Sequence, residues 1–252
     1  LERRLETHRP ALVYTTPNFQ NPTGITSDHA HRERLLALCE SRTIPLVEDA
    51  FEEEMKYLGR VPMPIKSMDH GDVVIYLGSF SKIFSPGIRL GWIAAHRDCI
   101  AGLKALKRLS DISSNSLTQV ALAHFCRSGQ YERYVRKIHR IYRKRMQVAL
   151  STLRAQLSLP HVSWNEPCGG FLIWLRIDQL DLTESDLLKH FLAEGVRVTP
   201  GSISFLRPQA PIHIRLSISS LNEAEIETGV MRLASVLRRL YASRATGMAQ
   251  TT

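Results

Sequence analysis

Three short apolar runs in the first part of the chain each end in polar residues at a turn, and this pattern restricts the fold more than any other feature. The runs are Ala11–Thr15, Ile44–Val47 and Val73–Leu77. They are rich in aliphatic and β-branched residues and have the length of buried strands. A helical pattern separates the first two runs, and we interpret the three runs as strands of a mostly parallel sheet of the α/β class. Side chains beyond the carboxyl ends of these strands lie where open α/β sheets bind ligands.

The residues at these strand ends include Asn21, Asp49 and Lys82. Lys82 closes the segment Ser79-Phe80-Ser81-Lys82, and Arg89 follows it. A lysine attacks an aldehyde as the neutral amine, which a nearby cation or a desolvating pocket favours. Hydroxyl groups and a guanidinium fork are donors that bind phosphate. The segment indicates a site for an aldehyde cofactor that carries a phosphate, although taken alone a lysine among serines is more often a solvated turn.

Five motifs, in order along the chain, resemble those of one known family. They are Asn21-Pro22-Thr23-Gly24, Asp49-Ala50-Phe51, Ser79-Phe80-Ser81-Lys82, Arg89 and Ile214-Arg215-Leu216-Ser217. Together they resemble the aminotransferases of fold type I (class I/II) that depend on pyridoxal 5'-phosphate (PLP). Glu48-Asp49 and the phrase that begins at Tyr76 most resemble the aminotransferase-like domains fused to GntR-type DNA-binding domains, the MocR regulators.

The resemblance implies roles for the residues that would hold the cofactor. Lys82 corresponds to the Schiff-base lysine, which binds PLP and moves the proton at the substrate's α-carbon. Asp49 corresponds to the acid that pairs with the pyridine nitrogen, and its alternative is a plain turn acid beside other acids. The phosphate ligands that the resemblance implies are Ser79, Arg89 and, more weakly, Ser81.

Two further residues are expected to reach the substrate. Asn21 resembles the asparagine whose amide donates to the ring's phenolate oxygen, and an Asx-Pro turn is its alternative. Arg215 resembles the guanidinium that binds the substrate's α-carboxylate. The apolar residues of its segment alternate strictly, so Arg215 shares a face with His213 and Ser217, opposite the core. A solvated arginine on an outer face has the same pattern.

The chain departs from the family's pattern in two ways. Phe51 stands where the family usually has a tyrosine that donates to the phenolate oxygen, so we expect a more basic phenolate. The chain also begins at Leu1 rather than at methionine and leads at once into a late landmark of the family. We therefore expect an incomplete large domain and little activity of the isolated fragment, with any DNA-binding module lying before it.

Charge and cysteine content narrow the class of protein. The net charge is +9, and much of the excess lies in Arg127–Arg145, where the spacing of apolar residues predicts an amphipathic helix with a basic face. A solvated face is the favoured interpretation, and an acidic partner or DNA is the alternative. The four cysteines lack metal-site spacing and indicate reduced thiols in the cytoplasm. No apolar stretch approaches the roughly 20 residues of a membrane span, so we expect no membrane insertion.

Helical patterns and caps suggest how the chain is organised. Helices are predicted over about 27–42, 97–109, 115–128, 130–156, 183–194 and 222–243. Thr183 and Asn222 are predicted N-caps, and Asn222 has Glu225 at capping-box spacing. We expect the remnant of a large PLP-binding domain over 1–130, a smaller C-terminal α/β domain over 131–244 and a loose tail over 245–252.

Two functions follow from the resemblance. The first is a PLP-dependent transaminase that transfers an amino group between an amino acid and a 2-oxo acid through a Lys82 Schiff base, as a cytoplasmic homodimer. The alternative is a PLP-binding, effector-sensing domain of a MocR/GntR-type transcriptional regulator. The complete set of cofactor residues favours the enzyme, and Phe51 with the regulator-like phrase favours the sensor. The sequence leaves the amino-acid substrate open.

Overall fold

Two sheets, each with its own helices, organise the chain. A computed structural model describes residues 1–207 and 210–249. By their internal contacts, residues 1–20 and 25–139 form a first unit, and residues 21–24 form a second unit with those from 140 onward. The sequence predicted a division at residue 130, whereas the units divide between His139 and Arg140, within one continuous helix.

The first unit alternates strands and helices around a mostly parallel sheet. Its elements are α1 (Glu2–His8), β1 (Val13–Thr15), α2 (His29–Glu40), β2 (Leu46–Asp49), β3 (Val74–Ser79), β4 (Gly91–Ala94), α3 (Arg97–Asp111) and α4 (Ser116–Arg127). Strands β1, β2 and β3 pair in parallel in that order, and β4 pairs antiparallel with β3. The mostly parallel sheet is therefore confirmed, and α1 and β4 are elements that the sequence did not predict.

The core of the first unit lies between α2 and one face of the sheet. Leu35, Leu36 and Cys39 of α2 pack with buried Leu46 and with residues of β3 and the preceding loop. The face of β2 that carries Leu46 is buried, while the opposite face is only half-buried. Since side chains alternate along a strand, neighbouring residues of β2 meet different surroundings. Of the two acids at the end of β2, Glu48 therefore lies on the buried face and Asp49 on the half-buried face.

The second unit is built on an antiparallel sheet. Its elements are the later part of α5 (Gln130–Gln156), β5 (Val162–Trp164), β6 (Leu172–Ile177), α6 (Glu184–Ala193), β7 (Thr199–Pro200), β8 (Ile212–Ser217) and α7 (Glu223–Ala249). The strand order is β5-β6-β8-β7, with every pairing antiparallel. Ile173, Leu175, Ile177 and Ile214 are buried on one face of this sheet. Polar side chains of β6 and β8 are thereby left on the other face.

The predicted caps of two helices are confirmed. The Thr183 hydroxyl accepts a hydrogen bond from the backbone N–H of Asp186 at 3.1 Å. Asn222 and Glu225 form the reciprocal capping box, at 3.0 Å and 2.8 Å. Helix α7 continues to Ala249, and residues 250–252 of the predicted loose tail lie outside the described residues. Within the described residues, every helix is too short or too polar to cross a lipid bilayer.

Candidate active site

Lys82 lies in the loop between β3 and β4, which apolar side chains hold in place. Ile83 is buried, and the Phe84 ring packs against Phe125 and Tyr134 with centroids 5.1 Å and 5.4 Å away. The backbone N–H of Phe84 donates to the carbonyl of Phe80 at 3.0 Å, which closes a helical turn. Because the apolar residues of the turn face inward, Lys82 is exposed. Its amine makes no hydrogen bond or ion pair with any residue that the structure describes.

The predicted phosphate ligands flank the same loop. The Ser79 hydroxyl accepts a hydrogen bond from the backbone N–H of Ser81 at 3.2 Å. Arg89 is exposed, and its Nη1 donates a 3.3 Å hydrogen bond to the carbonyl of Pro86, which is its only hydrogen bond among the described residues. The hydroxyls and the rest of the guanidinium therefore keep donor capacity for an anion. This donor set fits a phosphate group.

Gly78 allows a tryptophan to pack tightly beside these ligands. A Cβ at Gly78 would lie 2.2 Å from the Trp92 ring, which is closer than any real contact. The Trp92 ring in turn packs 5.0 Å from the ring of Tyr76 on the neighbouring strand. Glycine at position 78 therefore lets the Trp92 ring pack against β3 directly before Ser79, the last residue of the strand.

Asp49 is the last residue of β2 and lies on the half-buried face of the sheet. The Tyr14 hydroxyl donates a short hydrogen bond to its Oδ2. Tyr14 pairs with Val47 across the parallel ladder, so Tyr14 and Asp49 share one face of the sheet. Partial burial of the phenol and its hydrogen bond to the Asp49 carboxylate raise the pKa of Tyr14, which keeps the hydroxyl a donor. Sequence reasoning missed Tyr14, since nothing in its own segment indicates its partner strand.

Glu48 faces the opposite way and has a structural role. It is fully buried, and its two oxygens each accept a backbone hydrogen bond at 2.8 Å, from Ile65 and Lys66. Burial raises the pKa of Glu48, although these two hydrogen bonds and the charge of Arg32 act in the other direction. Since both of its oxygens are already engaged, Asp49 is the acid at this strand end that remains open to a ligand.

Phe51 follows Asp49 by one intervening residue and is half-buried. It makes no ring contact with any residue that the structure describes. Its side chain has no hydroxyl, so this position supplies no hydrogen bond to a phenolate oxygen.

The second unit brings together the two residues predicted to reach the substrate. Arg215 Nη1 donates to Asn21 Oδ1 at 2.6 Å, and Nη2 donates to the Thr199 hydroxyl at 3.3 Å. The Nε atom of Arg215 is buried and has no hydrogen-bond partner among the described residues. Arg215 is the register partner of Trp174, and its neighbour Ile214 is fully buried on the core face. The alternation predicted from the sequence is thus confirmed, and the guanidinium keeps an unused donor.

Asn165 and Gly24 tie the segment that carries Asn21 to strand β6. Gly24 belongs to a motif found in the sequence, whereas Asn165 was not predicted. The Asn165 Nδ2 donates to the carbonyl of Thr23, and Oδ1 accepts the backbone N–H of Trp174 at 3.1 Å. Gly24 has φ +67°, and a Cβ there would lie 2.7 Å from the carbonyl oxygen of Leu172. The close approach therefore requires glycine. Asparagines are common in loops, so the sequence carried no signal for the role of Asn165.

Comparisons with known proteins identify the family of the chain. Residues 1–233 match the family model described as aminotransferase class I and II. The chain belongs to this family. It is 33% identical over 237 residues to aromatic-amino-acid aminotransferase 1 of Thermococcus litoralis, which covers 94% of this chain and 56% of that protein. It is also 35% identical over 230 residues to the uncharacterized HTH-type transcriptional regulator YdfD of Bacillus subtilis, covering 91% of this chain and 47% of that protein.

A solved structure supports the same fold. The α-aminoadipate aminotransferase LysN of Thermus thermophilus, complexed with N-(5'-phosphopyridoxyl)-L-leucine, matches with a TM-score of 0.86 and 30% identity. The match covers 96% of this chain and 62% of the LysN chain. The α/β fold of type I and the resemblance to both aminotransferases and HTH-type regulators are confirmed. The chain spans about half the length of the curated relatives given above.

Proposed function

We propose that this protein is a PLP-dependent transaminase that transfers an amino group between an amino acid and a 2-oxo acid. The observation that carries the proposal is that Asp49 is the last residue of β2 and Lys82 follows the carboxyl end of β3, two neighbouring parallel strands. When bound, PLP supplies an aldehyde that condenses with amines and a pyridine ring that accepts an electron pair. The first unit offers an amine, a carboxylate and a set of anion donors suited to that group.

Each side chain of the first unit then has a task. With PLP bound, the exposed Lys82 amine would hold the cofactor through its aldehyde carbon, and would be the base that moves the proton at the substrate's α-carbon. The Asp49 carboxylate would accept a hydrogen bond from the pyridine nitrogen and would so keep that nitrogen protonated. The phosphate is assigned to the Ser79 and Ser81 hydroxyls and to the Arg89 guanidinium.

The second unit offers a site for the substrate's carboxylate. The two terminal nitrogens of Arg215 each donate one hydrogen bond, to Asn21 and Thr199, and each carries a second N–H. A guanidinium binds a carboxylate through two parallel hydrogen bonds. Its contact with Asn21 occupies Oδ1 of the amide, which leaves Nδ2 as the donor that we assign to the cofactor's phenolate oxygen. The pairing therefore orients the asparagine as well as the arginine.

The names of similar proteins support amino acids as substrates. One relative is named as an aminotransferase for aromatic amino acids, and the LysN structure holds a phosphopyridoxyl derivative of leucine. Both are properties of those proteins, and for this chain they support an amino acid and a 2-oxo acid as the substrate classes. A homodimer and a cytoplasmic location stay predictions.

The decisive experiment is chemical labelling of the full-length protein with PLP and borohydride. We expect absorbance in the near ultraviolet on adding PLP, and a reduced cofactor attached to the peptide that contains Lys82, as read by mass spectrometry. Lys82→Ala should lose both signals, while Lys56→Ala, which removes an exposed lysine of the same unit, should keep them. A label spread over many lysines, or retained in Lys82→Ala, would contradict the proposal.

Turnover is tested separately with amino acids. Release of the 2-oxo acid from a panel of aromatic, aliphatic and acidic amino acids supports the enzyme. Arg215→Lys should raise KM for the amino acid about a hundredfold, since lysine lacks the planar fork, without changing the label on Lys82.

A sensor domain is the second candidate, because a relative of comparable identity is named as an HTH-type regulator. In that case amino acids change the absorbance of the PLP-loaded protein, but no 2-oxo acid accumulates. Measuring both signals on the same sample separates the two functions.

A further inference from the structure

The polar contact of Asp49 is with a tyrosine that no sequence motif singled out. Tyr14 stands on β1, and its hydroxyl reaches Oδ2 of the carboxylate. Oδ1 has no hydrogen-bond partner among the residues that the structure describes. A carboxylate on a single rotatable side chain otherwise samples several orientations. A hydrogen bond from Tyr14 to Oδ2 therefore fixes the carboxylate of Asp49 with Oδ1 directed to a ligand that donates a hydrogen bond.

We infer that Tyr14 is a positioning residue for Asp49: its hydroxyl holds Oδ2, which leaves Oδ1 to accept the hydrogen bond from the pyridine nitrogen of PLP. The inference rests on the proposed function, because Asp49 needs this orientation only if it pairs with that nitrogen. Phe51 cannot replace Tyr14, since it carries no hydroxyl. Tyr14 is 57% exposed, so its phenol is not needed to fill the core.

The contact has two physical effects that act in opposite directions on the ring nitrogen. A hydrogen bond to a carboxylate makes it less basic, which by itself lowers the pKa of a paired pyridinium. Holding the carboxylate in one orientation strengthens the pairing and raises the same pKa. If Tyr14 positions Asp49, the second effect is the larger. Removing the hydroxyl then lowers the pKa of the nitrogen instead of raising it.

The test compares the wild-type chain with Tyr14→Phe, each loaded with PLP labelled with ¹⁵N in the ring. We expect the nitrogen of Tyr14→Phe to lose its proton at a lower pH, as followed by its ¹⁵N resonance, and PLP to bind roughly fivefold more weakly. Tyr241→Phe is the matched control, because it removes a hydroxyl that donates to a backbone carbonyl, that of Asp178, instead of to a carboxylate. It should leave both quantities unchanged. An unchanged or raised pKa of the nitrogen in Tyr14→Phe would overturn the inference.

A second measurement uses the chain without PLP. Burial raises the pKa of Tyr14, and the hydrogen bond to the Asp49 carboxylate raises it further. Asp49→Asn removes the second cause, so the difference titration assigned to Tyr14 should move to lower pH. If Asp49→Asn leaves that titration in place, the contact does not exist in solution and the inference fails even where PLP binds. If the wild type takes no PLP while the titration moves, the contact stands, but both the proposed function and the inference built on it fail.

Discussion

The two units bury different kinds of residue. Of the residues that the structure describes, the buried polar ones of the first unit are Asn18, Arg32, Glu48, Glu52 and Glu53, whereas the second unit contributes only Thr152. The second unit instead buries aliphatic side chains between its antiparallel sheet and its helices. The difference follows from the connections, since parallel strands need long crossovers whose backbone polar groups must be satisfied inside the unit.

Arg32 shows how the first unit satisfies its loops. Its guanidinium is fully buried and donates to the carbonyls of Pro62 and Met63 at 3.2 Å and 2.9 Å. It also donates to the side chain of Asn18, whose amide donates to Glu53. These contacts hold loops that flank the strands carrying the candidate site. Buried polar networks of this kind specify a geometry, and they are expensive to break.

The substitution expected to have the largest effect on stability is therefore Arg32→Met in the first unit. We expect a loss of about 4 kcal/mol in the free energy of unfolding, because several buried acceptors lose their donor. Urea unfolding followed by the fluorescence of Trp92, which lies in the first unit, measures it. Arg238→Met in the second unit, where an exposed guanidinium contacts Gln156, should change little. Equal losses in the two variants would remove the contrast between the units.

In the second unit the sensitive change is an apolar one. Leu175→Ala removes a fully buried side chain from the core face of β6 and should cost about 3 kcal/mol. The loss should appear in the fluorescence of Trp164 and Trp174, measured in a Trp92→Phe background. Leu192→Ala in α6, where the side chain is 59% exposed, is the matched control and should stay close to the parent. A small loss in Leu175→Ala would show that this core is not the main support of the unit.

A smaller effect is expected where the second unit holds the segment of Asn21. Asn165→Ala removes the tie between Thr23 and β6, so Asn21 should align less well with Arg215. We expect KM for the amino acid to rise about fivefold with the label on Lys82 unchanged. Asn222→Ala also removes a side-chain hydrogen bond, but at the start of α7. It should reduce stability by about 1 kcal/mol without changing KM. If KM rose in both variants, the rise would reflect a general loss of stability of the unit and not the contact between Asn165 and Thr23.

The smallest effect is a dependence on pH that belongs to the first unit. Folding raises the pKa of Glu48, so the folded chain binds its proton more readily than the unfolded chain. The stability of this unit should therefore gain a contribution as pH falls from that raised value toward the ordinary one. Glu48→Gln should lack the gain, whatever its stability at neutral pH. Urea midpoints from Trp92 fluorescence at about pH 7 and about pH 5 measure it.

Asp69 provides the internal control for this titration. Burial acts to raise its pKa, but hydrogen bonds from Lys66 and the backbone of Val73 and Val74 hold the pKa below its ordinary value. Its contribution is present above the ordinary value and is lost only as pH falls through the lowered one. The two acids thus act in separate pH windows. An identical slope in wild type and Glu48→Gln would mean that Glu48 does not titrate in its window.

Most of the strands and helices that carry the candidate site were predictable from local patterns. The run that became β3 ends near its predicted position, and the helix predicted over 130–156 has those bounds. Short elements without a long periodic pattern were missed, among them β4, β5 and the two-residue strand β7. A few residues cannot show a period, and their pairing depends on neighbours far along the chain.

By itself, the sequence determined the family, the parallel strands and the identity of the candidate residues, because these depend on residue type and short-range spacing. Only the tertiary structure decided that Glu48 is buried while Asp49 stays open, that Tyr14 contacts Asp49, and that Asn165 holds the segment of Asn21. Those facts depend on which strands are neighbours and in which register. Register arises from packing across the whole sheet, and no single segment contains it.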